Sequence, residues 1–332
     1  LYFNLKSILN LHRKNKIIFS MNSHLIRNEW SNMSNGQKMW KRANNIIPGG
    51  TMLFSKNPDL FLPGKWPAYF SKTKGCKVWD LDGVAFDDIA FMGVGTNTLG
   101  YNHPPIEKKV IKVIKDGTMS TLNSVEEILL AEKLIQLHPW AEMAKFTRSG
   151  GEANAVAIRI ARAATGKDKV AICGYHGWHD WYLASNINNK NDLNNHLMRQ
   201  VPIAGVPKNL RNTVFTFEYN NFQQLLKIIE EHDIGTIKME VRRNEEPTNN
   251  FLQKVRKLAL DKNIILIFDE CTSGFRQVFG GLHKYYKVNP DMAIFGKALG
   301  NGYAINAIIG KKSIMSSSSS TFISSTFWTE RI

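Results

Sequence analysis

The sequence predicts an α/β fold with a mainly parallel central sheet and helices on both faces. Two observations carry that expectation. Short apolar runs recur from about residue 145 onward: "KVAICG" (169–174), "NTVFTFEY" (212–219), "IGTIKME" (234–240), "IILIFDE" (264–270), "MAIFG" (292–296) and "INAIIG" (305–310). The last three are mostly continuous, as strands buried on both faces are. Between runs lie stretches with helical spacing: "EANAVAIRIARAAT" (152–165), "NFQQLLKIIEEHD" (221–233) and "NFLQKVRKLALDKN" (250–263). Such alternation is the mark of strands joined by helical crossovers.

Upstream, "KVWDLDGVAFDDI" (77–89) alternates like a hairpin around Asp82-Gly83. Residues 1–90 are therefore expected to form an N-terminal segment with part of a small domain, and 91–332 a large domain. The serine run 316–320 reads as a mobile loop. The chain opens on Leu1, with Met21 as a plausible start, so residues 1–20 read as a translated upstream fragment, with a transit peptide as the alternative, since they are basic and acid-free. "SSTFWTERI" ends without a cap, as a truncated C-terminus would.

Bulk properties narrow the class. With 332 residues the chain can bury a large core, and 43% hydrophobic with 21% charged residues is ordinary globular composition. No apolar run has the length of a membrane span. Three cysteines, Cys76, Cys173 and Cys271, form no CxxC pair, which fits a reducing, cytoplasmic setting. The net charge of +15 invites a nucleic-acid reading, but nearly half the surplus lies in residues 1–42, where Glu29 is the single acid. The remainder shows no basic stripe interleaved with aromatics, so no nucleic-acid partner is expected.

Ligands of open parallel sheets bind beyond the carboxyl ends of the strands, and four features fall there. Ser149-Gly150-Gly151 opens a helix, as a phosphate cradle does, and equally as a plain N-cap and tight turn. "GYHGWHDW" (174–181) offers an exposed Tyr175-His176 pair able to stack on a planar ring; packing of its aromatic residues is the plainer reading. His176, His179 and Asp180 match no standard zinc spacing, so no metal is expected. Asp269 ends an apolar strand, where a carboxylate is costly unless a partner holds its charge: a metal, a helix cap or a protonated heterocyclic nitrogen. Lys297 directly follows the buried run 292–295, an approach that a merely solvated lysine does not need. Together these are the parts that hold a phosphorylated pyridine aldehyde, pyridoxal 5′-phosphate, with Asp269 at the ring nitrogen and Lys297 as Schiff-base amine.

In that combination the chain resembles the class III, fold-type I pyridoxal-phosphate aminotransferases, on the glutamate-1-semialdehyde 2,1-aminomutase branch. The resemblance covers roughly residues 30–332 and rests on "RSGGEANAVAIRIAR", "GYHGWHD", "FDECTSGFR" and "FGKALGNGYAINAIIG". It implies that Lys297 and Asp269 are catalytic. Ser149, Gly150 and Gly151 would hold the phosphate, Tyr175 and His176 the ring-stacking position, and Cys271, in place of the usual Val, the opposite ring face. Glu240 matches the strand-end Glu of the family, although Val241 stands where Pro is usual. Thr326 matches the residue that reaches the neighbouring subunit's phosphate, which implies a homodimer with shared sites. Leu53 and Lys56 stand where the aminomutases place a substrate-binding Ser and Arg, and the C-terminal small domain of the fold is absent from the sequence.

The expected function is amino-group transfer on an amino acid or a semialdehyde-like amino or keto compound. An intramolecular aminomutase uses the same residues and is separated by whether an added amino donor is required. A non-catalytic cofactor-binding fragment is the reading from another class; intact Asp269 and Lys297 oppose it. A dinucleotide enzyme is set aside, because no G-x-G-x-x-G follows an early strand.

Overall fold

The computed structural model describes residues 33–90, 92–196 and 201–332. The readings of residues 1–20 and of Met21 lie outside the described residues. The chain divides into two compact units, Leu1–Val94 with Leu99–His103, and Gly95–Thr98 with Pro104–Ile332.

In the first unit, helix α1 (Asn35–Ile46) starts at Ser34, whose hydroxyl accepts the Gln37 N–H at 3.3 Å. A three-stranded antiparallel sheet follows, β1 (Phe70–Lys74), β2 (Lys77–Asp80) and β3 (Ala85–Asp87). The expected hairpin is β2–β3. Its turn is tied by Asp80 Oδ1, which accepts the N–H groups of Asp82 and Val84 at 2.9 Å each, and Gly83 supplies the positive φ of 82°.

The second unit begins with helices α2 (Pro104–Asp116) and α3 (Val125–Leu137). Strand β4 (Met143–Thr147) and helix α4 (Gly150–Thr165) come next, then β5 (Lys169–Cys173), β6 (Val214–Thr216), α5 (Phe222–Glu231) and β7 (Ile234–Glu240). Helix α6 (Phe251–Asp261), β8 (Ile265–Glu270), β9 (Met292–Phe295) and β10 (Asn306–Gly310) complete the seven-stranded sheet. Its order is β4-β10-β9-β8-β7-β5-β6. The pairs β9–β8, β8–β7, β7–β5 and β5–β6 are parallel, while β10 runs antiparallel to both neighbours.

Every residue of β7, β8, β9 and β10 is buried, as the continuous apolar runs require. On one face α4 packs Ala153, Ala157, Ile160 and Ala161 against Val170, Ile172, Ile267, Ile294 and Ile308. On the other, Leu252, Val255 and Leu258 of α6 meet Ile237, Met239, Leu266 and Phe268. Each of the larger side chains contributes roughly 1.5–3 kcal/mol on burial, so the two layers fix the strand ends firmly.

One expectation is corrected. The serine run is a 3₁₀ helix, Ser316–Ser320, not a loose loop. Short hydroxyls bond back one turn, Ser319 Oγ to Ser316 O at 2.6 Å and Ser320 Oγ to Ser317 O at 2.8 Å, and so replace solvent as partners of those carbonyls. No helix among the described residues is long and apolar enough to cross a membrane.

Candidate active site

The sheet register brings the sequence features to one edge. Glu240 pairs with Asp269, Asp269 with Ile294, and Glu270 with Phe295, so β7, β8 and β9 end side by side. Thr147 at the end of β4 lies opposite Asn306 at the start of β10. Residues 149–151, 174–177, 269–272 and 296–297 therefore all leave the sheet at its carboxyl edge.

Lys297 follows Gly296 at the end of β9 and adopts φ 44°, a conformation uncommon for a residue with a side chain. At Gly296 a Cβ would collide with Asn306 Oδ1, so only glycine lets the chain pass that close. The Lys297 amine is partly buried and donates to Thr272 Oγ1 at 3.0 Å. Burial first, then the nearby Arg243 guanidinium, pushes its proton affinity below that of a free lysine.

Asp269 is 3% exposed. Its Oδ2 takes a hydrogen bond from His176 Nδ1 at 2.8 Å and its Oδ1 one from the Cys271 N–H at 3.0 Å. Burial alone would raise this carboxyl; Lys238, with Nζ 3.8 Å from Oδ2, and then His176 and the Cys271 N–H together hold it well below the usual carboxylate range. His176 is thus no exposed partner of Tyr175, as the sequence suggested. It is fully buried, because its ring is the donor that a buried carboxylate demands. Burial keeps it neutral, with its pKa lowered to about 4.

Tyr175 is half-buried, and its N–H donates to Glu240 Oε2 at 3.1 Å. Glu240 is also held by Arg243 through both carboxylate oxygens, at 2.6 and 2.5 Å. Gly174 is needed here: it has φ 111°, and a Cβ would sit 2.6 Å from Glu240 Oε2. Cys271 lies between the glycine turns, with Sγ 3.9 Å from Asn306 Oδ1; burial raises its thiol well above the ordinary range, so it acts as a small apolar surface.

At the start of α4 the N-cap reading holds in full. Ser149 Oγ accepts the Glu152 N–H at 3.4 Å, and Glu152 Oε2 takes the N–H groups of Ser149 and Arg148 at 2.9 and 3.0 Å. The amides of Gly150 and Gly151, the first two of a 16-residue helix, make no hydrogen bond among the described residues. The capping box therefore leaves these two amides open, since it uses the N–H groups of Arg148, Ser149 and Glu152. Thr326 opens a 3₁₀ turn, Thr326–Thr329, and is exposed. Leu53 and Lys56 lie in the first unit, where both are parts of its solvent-facing 3₁₀ region.

Thr272, Arg243 and Lys238 were not singled out from the sequence. Thr272 and Arg243 are polar residues just past strand ends, a signal that reaches too many loop residues to choose among. Lys238, a cation inside a buried seven-residue run, was the readable anomaly.

These groups fit pyridoxal 5′-phosphate: two unbonded helix-start amides for the phosphate, a stabilised carboxylate for a ring N–H, and an amine whose proton affinity burial lowers. Comparison with known proteins agrees. The class-III aminotransferase family pattern matches residues 63–332. The chain is 34% identical over 306 residues to a 3-aminobutyryl-CoA aminotransferase of Cloacimonas acidaminovorans, covering 89% of this chain and 69% of that protein. It is 34% identical over 286 residues to a glutamate-1-semialdehyde 2,1-aminomutase of Sulfurisphaera tokodaii, covering 84% and 66%. Among solved structures, the FumI protein of Sphingopyxis sp. MTA144, in its PLP internal aldimine form, superposes with a TM-score of 0.76 at 25% identity over 89% of this chain and 69% of that one. An omega-transaminase of Sphaerobacter thermophilus gives 0.74 at 27%, over 85% and 65%. The chain thus spans about two thirds of the length of these relatives. Pattern, identity and sheet-edge geometry converge: the chain belongs to the class-III aminotransferases, the pyridoxal-phosphate enzymes and aminomutases of that family.

Proposed function

We propose that this protein transfers an amino group between small molecules, with Lys297 as the proton-moving amine. The observation that carries the reading is the Lys297 amine itself, partly buried, depressed in proton affinity and held by one hydroxyl. Gly150 and Gly151 amides and the Ser149 hydroxyl hold the cofactor phosphate, Tyr175 and Cys271 flank its ring, and Asp269 takes its ring N–H. Glu240, pinned by Arg243, fixes the backbone of Tyr175 and so the height of that ring. Bound pyridoxal phosphate supplies an electron sink for the substrate carbon that bears the amino group.

Lys297 Nζ, whose proton affinity burial lowers, accepts the proton of that carbon and returns it to the neighbouring position. Thr272 Oγ1 orients the amine between these acts. Asp269 remains a carboxylate throughout, because Lys238 first, then His176 Nδ1–H and the Cys271 N–H, hold it.

A cytoplasmic homodimer with shared sites belongs to this reading. Its support is a set of exposed apolar side chains on and between α2 and α3, Ile111, Ile114, Leu122, Val125, Ile128 and Leu129, each at least 45% exposed. Thr326 would then reach the phosphate bound to the partner. The division into a small unit at 1–90 and a large one at 91–332 is part of the proposal too.

The test is a half-reaction. Purified protein loaded with pyridoxal phosphate is mixed with an amino donor alone, and loss of the visible cofactor band is followed. Conversion by donor, with product only after an acceptor is added, supports intermolecular transfer. Full turnover of a semialdehyde substrate without any donor supports the aminomutase. Cofactor bound with no conversion by either would sink the proposal.

A further inference from the structure

Lys238 sits in the middle of β7, paired with Ile172 of β5 and Ile267 of β8, on the face that α4 covers. Its side chain is 0% exposed, and among the described residues its Nζ has no hydrogen-bond partner. A lysine buried to this degree is rare unless its charge is answered. The answering group is Asp269, whose Oδ2 lies 3.8 Å from Nζ. Packing does not explain the choice: the neighbours are isoleucines, and a methionine has similar length without a charge.

We infer that Lys238 is a positioning residue that shares the Asp269 carboxylate with the cofactor's ring nitrogen and thereby lowers the proton affinity of that nitrogen. The inference rests on the reading of Asp269 as the ring-nitrogen partner. Burial lowers the proton affinity of Lys238 and Asp269 raises it again; held as an ammonium within 4 Å, the lysine leaves the carboxylate pulling less strongly on a second proton. The other titratable groups around Asp269 do not supply that effect. His176 donates to the same Oδ2 but is neutral, and His196 behind it is neutral as well. Cys271 is held as a thiol. Glu240 is occupied by Arg243, and Lys297 donates to Thr272. Ring-nitrogen protonation in this protein is thus set by a three-way contest for one carboxylate, so the electron sink is weaker than Asp269 alone would make it.

The experiment loads the protein with pyridoxal phosphate labelled with ¹⁵N in the ring and follows the ¹⁵N shift against pH in wild type, Lys238→Met and Lys238→Arg. The expected result is a ring-nitrogen midpoint at least about one pH unit higher in Lys238→Met, with Lys238→Arg close to wild type. Equal midpoints in wild type and Lys238→Met, or a lower one in Lys238→Met, overturn the inference. Should Lys238→Met fail to fold, ¹⁵N-lysine labelling of the wild-type apoprotein decides. An ammonium Nζ signal at pH 7 that vanishes in Lys238→Arg supports the inference, and a neutral amine overturns it. Failure of wild type to bind the cofactor at all would overturn the functional reading and this inference with it, whereas bound cofactor with an unmoved midpoint overturns this inference alone.

Discussion

His176 Nδ1 lies 2.8 Å from Asp269 Oδ2, and both residues are buried. Because His176 is neutral, its Nδ1 carries the proton and donates, which fixes the tautomer and aims the ring. The carboxylate is thereby held in one orientation before any ligand arrives. Asp269→Asn keeps the shape but cannot hold a ring proton by charge. We expect the variant to fold and bind cofactor while proton abstraction slows on the order of 10²-fold or more. Single-turnover traces at the parental rate would remove Asp269 from its assigned place.

Lys297→Ala removes the amine that the fold places at the end of β9. Turnover is expected to fall by roughly 10²–10⁴-fold or beyond, and the visible band of lysine-linked cofactor, bleachable by borohydride in the parent, should be missing. Cofactor retention through the phosphate should survive, since Gly150 and Gly151 are untouched. Retained borohydride-sensitive absorption in this variant would show that another lysine does the work.

The buried runs at 265–270, 292–295 and 306–310 were legible because a strand covered on both faces has nowhere to put polar residues. Strand β4 was less so, since Met143–Thr147 lies at the sheet's edge and only Thr147 is buried. The antiparallel course of β10 was invisible, as apolar periodicity carries no direction. Asp269 and Lys297 stood out for one reason: each is a charged group at the end of an apolar run. His176 stood out as an exposed stacking residue, but its buried role did not, because burial of a histidine depends on a carboxylate 93 residues away in sequence. Arg243 was hidden likewise, as its pairing with Glu240 depends on how the chain turns after β7.

Stability should fall in mild acid. His176 and His196 both have folded pKa values lowered to about 4 from 6.5, by burial in each case. Between those values the unfolded chain binds more protons than the folded one. Stability is therefore fully present above about pH 6.5 and declines as pH drops toward 4, by about 1.4 kcal/mol per pH unit for each histidine within the window. His196 Nδ1 accepts the Gly174 N–H at 2.8 Å, so His196→Gln, which keeps an acceptor, should make the slope shallower by the share of one histidine. Denaturant midpoints that do not move between pH 7 and pH 5 would contradict this assignment.

The last prediction concerns assembly. The segment after Thr326 is tied down within its own chain: Arg148 donates from Nε to Phe327 O at 2.7 Å and from Nη1 to Ile332 O at 2.7 Å. Arg331 in turn pairs with Glu126 of α3 at 2.7 Å, beside the exposed Val125, Ile128 and Leu129. Thr326 itself is exposed in an anchored turn, and in the dimer proposed above its hydroxyl donates to the phosphate bound by the neighbouring chain. In such a dimer each site is complete only when the neighbour supplies its threonine. Thr326→Val should then weaken cofactor binding several-fold while the visible band of bound cofactor stays normal. Affinity should also fall on dilution. At a cofactor concentration too low to load Thr326→Val alone, mixing it with Lys297→Ala gives hybrid dimers in which one site carries both lesions and the other carries neither, so activity should return toward the statistical share of hybrids. Hybrids that form, as shown by tag-selective capture, yet recover no activity would refute the cross-subunit role, as would tight cofactor binding by a monomer at nanomolar protein.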